Sequence, residues 1–514
     1  MIFNLTTVRV LRQFVQVVFL LVFIITILQA TYPFKPWLPP ELFLWLDPLS
    51  ATMPLIANRH FDLIFLVALI VLLSPFVVGR AFCGWVCPLG TVIDLNDKIF
   101  TQHLKKINPL WRSVKTGLLM LFVVLALLGI QYSWLMDPLP LLWRSSGVIV
   151  LSFLFLLVDT SLAILIKLGI FSETLMNFQD RLNAYLFPVA SPVFTNLLLP
   201  VLILVIILAL SNLTRRFWCR HLCLLGALLG LIAKLSPLQR RVDQNLCTKC
   251  GICRRKCKMA AIEEDFYITE KSECILCLSC APQCPPAAIT YDWQSPGRMT
   301  SKIDLSRRGF LGATLGGLIG AGFFKINQPD SHHSDRLIRP PGAITENEFM
   351  AQCIRCGECV RICATSGKCL QIAFLETGWE GLLTPLAKFR YGYCEYNCNL
   401  CGQICPTKAI QPLALPEKQK VKMGKAIFLK ERCIPYRVNE NCLVCEEHCP
   451  LPDKAIKVIP QEYIDPLNGN KRIVLYPQVD ENLCIGCGIC ENKCPLNGEA
   501  GIIVIREGEE RQLL

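Results

Sequence analysis

Long apolar stretches alternate with polar ones over the first 215 residues, and then the alternation stops. Five apolar runs lie near residues 8–30, 61–79, 117–134, 148–168 and 193–212. Each approaches the roughly 20 residues that cross a bilayer as a helix. They predict an α-helical membrane bundle of four to five spans. A sixth run, Gly309 to Phe324, is shorter and Gly-rich and follows Ser306-Arg307-Arg308; it predicts one further anchor. Residues 236–300 and 340–514 carry no long periodic segment, as in small domains where metal centres replace much of the apolar core. Residues 326–345 are polar with Pro and Gly and read as a linker. The chain thus divides into a membrane helical domain (1–235), a small domain (236–300), a signal-like anchor helix (301–325), the linker (326–345) and a second cysteine-rich domain (346–514).

Composition sharpens the division. Hydrophobic residues reach 53% and mean hydropathy is +0.44, yet charged residues still make up 18%, as expected of a membrane part joined to a water-soluble part. The 29 cysteines fall almost wholly in the second part, because residues 1–215 hold only Cys83 and Cys87. Disulfides need matched geometry across a fold, whereas cluster ligands repeat at short fixed intervals. The intervals here are short and regular, so the cysteines read as reduced and metal-bound. The net charge of +12 suits an anionic membrane surface or an acidic partner. It does not argue for nucleic acid, since the basic residues sit in loops beside apolar spans, where orientation rules place them.

A four-cysteine cassette recurs six times, in three adjacent pairs. The first pair is Cys247, Cys250, Cys253, Cys257 and Cys274, Cys277, Cys280, Cys284, both spaced C-x-x-C-x-x-C-x-x-x-C, the bacterial ferredoxin run for [4Fe–4S] clusters. Three cysteines on a tight loop cap one face of a cubane, and the fourth points to the neighbouring one. Cross-ligation predicts Cys247, Cys250, Cys253 with Cys284, and Cys274, Cys277, Cys280 with Cys257. In the second pair it predicts Cys353, Cys356, Cys359 with Cys405, and Cys394, Cys398, Cys401 with Cys363. In the third it predicts Cys433, Cys442, Cys445 with Cys494, and Cys484, Cys487, Cys490 with Cys449. Two cassettes are irregular: one opens C-x-x-x-C at Cys394, and Cys433 stands eight residues ahead of Cys442's neighbour Asn441. Zinc sites also use C-x-x-C, but six such cassettes favour six [4Fe–4S] clusters. Cys369 is left over and reads as a small buried residue.

Four further cysteines form two C-x-x-x-C motifs, Cys83 and Cys87 in GRAFCGWVCPLG and Cys219 and Cys223 in RRFWCRHLCLLG. An aromatic residue precedes each motif and Leu-Gly follows it. Two readings stay open: four thiolates holding one more metal centre, or packing turns with free thiols. Residues 1–290 resemble the NapH/MauN-type membrane ferredoxins, and residues 301–505 resemble the NapG/MauM-type ferredoxins with a twin-arginine signal and four clusters. NosR-type proteins share the membrane motif. The resemblance implies a fusion that passes electrons from membrane quinol toward a periplasmic oxidoreductase system. The sequence departs from that pattern at Leu224, where Pro is usual, and by one additional apolar run.

There is no C-x-x-C-H for c-type haem. None of the six histidines lies inside a strong apolar run, which excludes a b-type dihaem membrane cytochrome. No dinucleotide fingerprint follows a predicted strand, so neither NAD nor FAD is expected. Quinol oxidation requires a proton acceptor. Asp159, an ionisable residue within an apolar run, is the candidate catalytic group, with His60 and Arg80 as weaker ones; its alternative role is a helix cap, since Thr160 and Ser161 follow. Arg9 and Arg12 place the N-terminus in the cytoplasm. Five full spans would leave the segment after residue 212 outside, yet its Arg215, Arg216, Arg220, Lys234, Arg240 and Arg241 read as inside. The run at 148–168 or its continuation to 192 is therefore expected to be re-entrant or surface-lying. The two-cluster domain is then cytoplasmic, and the four-cluster domain is exported after the twin-arginine-like pair Arg307-Arg308. The expected location is the inner membrane, with the quinone pool and a periplasmic redox protein as partners. A rival reading is an accessory factor that supplies electrons for maturation or activation of a partner metalloenzyme.

Overall fold

The computed structural model describes residues 5–32, 36–61, 64–100, 111–169, 172–185, 194–196, 198–293, 307–326, 335–464 and 469–512. Ser306 of the export-like motif and residues 327–334 of the linker lie outside them. Two compact units emerge. The first comprises residues 1–28, 37–146 and 198–325; the second comprises residues 29–36, 147–197 and 326–514.

The first unit opens with the helix Leu5–Gln29. Among the described residues its Thr7–Gln29 stretch is the one helix long and apolar enough to cross a membrane. The other apolar runs form shorter helices, and the breaks have local causes. The second run stops at Leu73 and restarts as Pro75–Val78, because Pro75 cannot donate a helical hydrogen bond. The third forms Trp111–Leu127 and ends before Gly129, whose φ of +85° turns the chain. The last gives Leu198–Leu210.

Two Asp-Pro-Leu turns meet in this unit. Asp47 caps the helix Pro48–Asn58, accepting from the Leu49 amide at 3.0 Å. Asp137 precedes the helix Pro138–Ser145. Both carboxyls are buried, and Ser50 Oγ lies 3.0 Å from an oxygen of each. A hydroxyl has one proton to donate. Bridging two carboxyl oxygens therefore requires that one of the pair be protonated.

The second unit contains the helical hairpin Leu151–Lys167 and Ser172–Tyr185. The chain on either side of the hairpin is tied to the cysteine-rich part: Arg361 donates to the Gly147 carbonyl, Thr195 N donates to Gln371 Oε1 at 2.8 Å, and Asn196 Nδ2 donates to the Ile372 carbonyl at 3.0 Å.

The cysteine-rich parts share one building rule: each cassette pair is closed by antiparallel pairing of the backbone before and after it. Leu238–Val242 pairs with Ile289–Trp293 around the first. Ala343 bridges Ile410 around the second. Lys425–Phe428 pairs with Ile502–Ile505 around the third. Within the third pair, the segment between cassettes contributes two antiparallel strands of nine residues each, Ile456–Ile464 and Lys471–Val479. The chain is therefore multi-domain, with ferredoxin-type modules of short strands and short helices.

Candidate iron–sulfur and thiolate sites

The cassettes fold locally by a repeated backbone device. In each of the four regular cassettes the residue before the second cysteine and the residue after it are both left-handed: Lys249 and Gly251, Leu276 and Leu278, Arg355 and Gly357, Gly486 and Gly488, with φ between +47° and +82°. Four of these eight positions are glycine; the other four, Lys249, Leu276, Leu278 and Arg355, carry side chains and adopt this conformation at a cost of about 1–2 kcal/mol each. The alternation rolls the loop inward, so that three thiols face one centre. A short helix then carries the fourth cysteine away, as Ile252–Lys256, Glu358–Ala364 and Ile489–Lys493 do.

The fourth cysteine of one cassette lies with the first three of its neighbour. Cys257 joins Cys274, Cys277 and Cys280 around one cavity. Cys363 joins Cys394, Cys398 and Cys401 around a second. Cys449 joins Cys484, Cys487 and Cys490 around a third. In the remaining groups Cys253 and Cys284 pack on one apolar cluster, Cys405 interacts electrostatically with Cys353, Cys356 and Cys359, and Cys433 does so with Cys442 and Cys494. Among the described residues, no three Cys, His or carboxylate side chains converge as they would on one metal ion. The thiols stand around cavities, which is the arrangement that a cluster of several atoms requires.

Burial pushes most of these thiols up, Cys280 and Cys487 to about 12. Metal coordination reverses this, because a ligating thiol is deprotonated. Two neighbours were not legible from spacing. Tyr291 Oη lies 3.2 Å from Cys280 Sγ. Cys369, buried, lines the cavity of Cys363 with its sulfur 3.8 Å from Cys363 Sγ.

The two C-x-x-x-C motifs share one backbone course. In the first, the amides of Val86 and Cys87 both donate to the Phe82 carbonyl, and Cys87 then caps the helix Pro88–Ile99. In the second, the amides of Leu222 and Cys223 both donate to the Trp218 carbonyl, and Cys223 caps Leu224–Ala233. Leu224 thus takes the first-turn position that Pro88 fills in the other copy, where proline serves only to pre-set φ. The four thiols interact with one another: Cys87 with Cys83 and Cys219, and Cys223 with all three. Cys83 and Cys219 also pack against Met259, Ala261 and Ile275, the apolar cluster that holds Cys257, Cys274 and Cys277. The approach is close at Gly84, where a Cβ would collide with the Ile275 carbonyl oxygen. Trp85 Nε1 donates to the Leu276 carbonyl at 3.0 Å in the same seam.

Each motif also carries an arginine three residues before its first cysteine, a repeat that aromatic and Leu-Gly matching passes over. Arg80 and Arg216 are fully buried. Arg80 donates to the Ser272 carbonyl at 2.7 Å and pairs with Glu273 at 3.2 Å, and Lys115 pairs with the same carboxylate. Arg216 pairs with Asp94 at 2.8 Å and donates to the carbonyls of Cys83 and Gly90; Lys258 and Arg12 reach Asp94 at 2.8 and 3.7 Å. Burial alone would raise the Asp94 carboxyl, but Arg216 and Lys258 hold it well below its usual range. Arg80 is therefore an ion-paired cation, and a guanidinium keeps its proton, so it is no proton acceptor. Asp159 sits half-buried in the helical hairpin, its Oδ1 accepting from Gln179 at 2.9 Å. It belongs to the second unit, whereas Cys83, Cys87, Cys219 and Cys223 belong to the first. His60 is exposed.

A model of a 4Fe-4S binding domain matches residues 60–107 and again 196–242, each match enclosing one C-x-x-x-C motif. A second 4Fe-4S binding domain model matches residues 477–497. The methylamine utilization ferredoxin-type protein MauM of Methylorubrum extorquens is 33% identical over 208 residues, 40% of this chain and 89% of the relative. The chain belongs to the MauM/NapG family of ferredoxin-type proteins. The ferredoxin-type protein NapG of Escherichia coli (strain K12) is 32% identical over 207 residues, 39% of this chain and 86% of that protein. A putative electron transport protein of the same organism, YccM, is 27% identical over 326 residues, 59% of this chain and 78% of the relative. No solved structure matches. The protein is thus an iron–sulfur electron-transfer protein related to these ferredoxins.

Proposed function

We propose that the chain is a membrane-bound conduit that takes electrons from quinol and delivers them to a periplasmic redox partner, and that it joins a NapH/MauN-like part to a NapG/MauM-like part. The observation that carries this reading is the apolar seam of Met259, Ala261 and Ile275, against which both the C-x-x-x-C thiols Cys83 and Cys219 and the cassette thiols Cys257, Cys274 and Cys277 pack. The six cross-ligated cysteine sets would hold six [4Fe–4S] clusters, and Cys83, Cys87, Cys219 and Cys223 a seventh iron–sulfur centre. Bound clusters would supply one-electron carriers, and the cysteine sets would fix their spacing. Support for the seventh centre is the pair of 4Fe-4S domain matches, each of which contributes half of the ligands.

The test uses the full chain in detergent. A low-potential quinol such as a menaquinol analogue should bleach the cluster absorbance without added protein. A response only to reduced soluble ferredoxin or flavodoxin overturns the quinol reading.

The helix Arg307–Ile326 begins at the twin-arginine pair. In this proposal it is read on the cytoplasmic side and stays as the anchor of an exported four-cluster domain. Arg307→Lys with Arg308→Lys should leave a reporter fused after Leu514 in the cytoplasm, with at least a tenfold loss of periplasmic signal. Unchanged export would remove the pair from the pathway.

A further inference from the structure

The two C-x-x-x-C motifs are related by an exchange. Arg80 of the first copy lies against the glycine of the second: a Cβ at Gly226 would stand 2.6 Å from Arg80 Nη2, and one at Gly230 would stand 3.6 Å from Arg80 Cδ. Arg216 of the second copy lies against the glycine of the first, where a Cβ at Gly90 would stand 3.5 Å from its Nη2. Each arginine also reaches the thiols: Arg80 interacts with Cys83 and Cys223, and Arg216 with Cys219. The glycine after the second motif is thereby explained, because a Cβ at Gly226 would displace the Arg80 guanidinium; at Gly90 the tightest contact is the Cys83 carbonyl oxygen at 3.0 Å, with Arg216 in ordinary contact behind it.

The charge count around these thiols is lopsided. Asp94 faces Arg12, Arg216 and Lys258, and Glu273 faces Arg80 and Lys115. Among the described residues, five cations share two carboxylates in these ion pairs, three positive charges more than negative. Except for Lys258, whose side chain is 22% exposed, all of these groups are at most 6% exposed. Unpaired buried charge is strongly destabilising. Four neutral thiols would leave this surplus standing. Four thiolates on an iron–sulfur core carry a net negative charge that offsets it, and Arg12 and Arg216 share their field with the neighbouring Cys277.

We propose that Arg80 and Arg216 are paired positioning residues, exchanged between the repeats, whose charge holds the four-thiolate centre in place and raises its reduction potential. The inference rests on the reading of Cys83, Cys87, Cys219 and Cys223 as an iron–sulfur site. Each one-electron reduction adds one negative charge to that centre, so a fixed buried cation favours the reduced form. Hydrogen bonding and nearby charge are established means of setting such potentials. Asp94 and Glu273 orient the guanidinium groups by anchoring one edge of each.

The experiment uses the full chain in detergent, with anaerobic iron and sulfide analysis and dye-mediated redox titration followed by electron paramagnetic resonance. Cys83→Ser with Cys219→Ser should remove one iron–sulfur centre; full retention of iron would overturn the underlying site, and with it this inference. Given that the site stands, Arg80→Gln and Arg216→Gln should each shift its reduction equilibrium at least tenfold toward the oxidised form, 59 mV for a one-electron couple. An unmoved potential with iron retained overturns the charge role. Should a Gln variant lose the centre, Arg80→Lys and Arg216→Lys decide the matter. Retention of iron with a potential within threefold of the parent equilibrium supports the proposal, because charge has survived without the guanidinium's shape. Loss of the centre in both Lys variants overturns it in favour of shape alone.

Discussion

Cys257→Ser should remove about four of the roughly 24 irons that the six proposed clusters would carry, and the cluster lost should be the one built on the other loop. Cys257 follows Cys247, Cys250 and Cys253 in sequence, yet it lines the cavity of Cys274, Cys277 and Cys280. The helix Ile252–Lys256 is what carries it across: one short turn of helix separates the third thiol from the fourth and points the fourth away. If the pairing is crossed, Cys257→Ser and Cys274→Ser should abolish the same resonance signal, while Cys284→Ser abolishes the other. Iron analysis with spin quantitation of these three variants and of Cys247→Ser decides it. Coincident loss for Cys257→Ser and Cys247→Ser would mean that each cassette closes on its own cluster, against the geometry of the cavity. The Cys257→Ser variant should also affect the thiols of the two C-x-x-x-C motifs, because Cys257 packs with Cys83 and Cys219 on Met259, Ala261 and Ile275. A shift in the remaining signals without further loss of iron is the expected secondary effect.

What the sequence made legible was local. Cysteine spacing names the groups because three ligands within seven residues must sit on one loop, and the left-handed pair at Lys249 and Gly251 or Gly486 and Gly488 is the backbone form of that constraint. The closing strands were less visible. Leu238–Val242 and Ile289–Trp293 lie on opposite sides of two cassettes, and short edge strands give weak patterns. Helix lengths were overstated where hydropathy ran on through Pro75 and past Leu127, since apolarity does not register a missing donor or a left-handed glycine. Long-range polar pairing was not legible at all. Asp94 lies far in sequence from Arg216, as Arg80 does from Glu273, and no periodic pattern connects them. The exchange of Arg80 and Arg216 was written in the sequence as a repeated arginine three residues before a cysteine, but its meaning depends on which glycine each one meets.

The thermal stability of the first unit should fall as pH rises from about 5 to 8, and Asp137→Asn should flatten that fall. Burial raises both Asp47 and Asp137, and the negative charge of Asp47 raises Asp137 further, well above its ordinary value. Glu41, also buried, is pushed up to about 7. A carboxyl raised in the folded state binds a proton there that the unfolded chain has already released. Stability from such groups is fully present below the ordinary carboxyl range and is lost as pH climbs through the folded values. The sign is opposite to that of the ion-paired Asp94, which is depressed in the folded state and loses its contribution only in acid. The Ser50 bridge fixes where the proton belongs. Asp47 already accepts from the Leu49 amide as a helix cap, which suits an anion, so Asp137 is the better holder of the proton. Asparagine at 137 reproduces the neutral, donating form at every pH. The variant should match the parent near pH 5 and exceed it near pH 8, by about 1–3 kcal/mol in the range typical of removing an uncompensated buried group. Asp47→Ala should instead lose about 1 kcal/mol near pH 5, through the lost cap, and should also weaken the pH dependence, because it removes the charge that raises Asp137. Thermal unfolding of parent and variants across this pH range, with iron content held equal, provides the measurement. Parallel profiles for the parent and Asp137→Asn would show that Asp137 does not hold the proton that the Ser50 geometry requires.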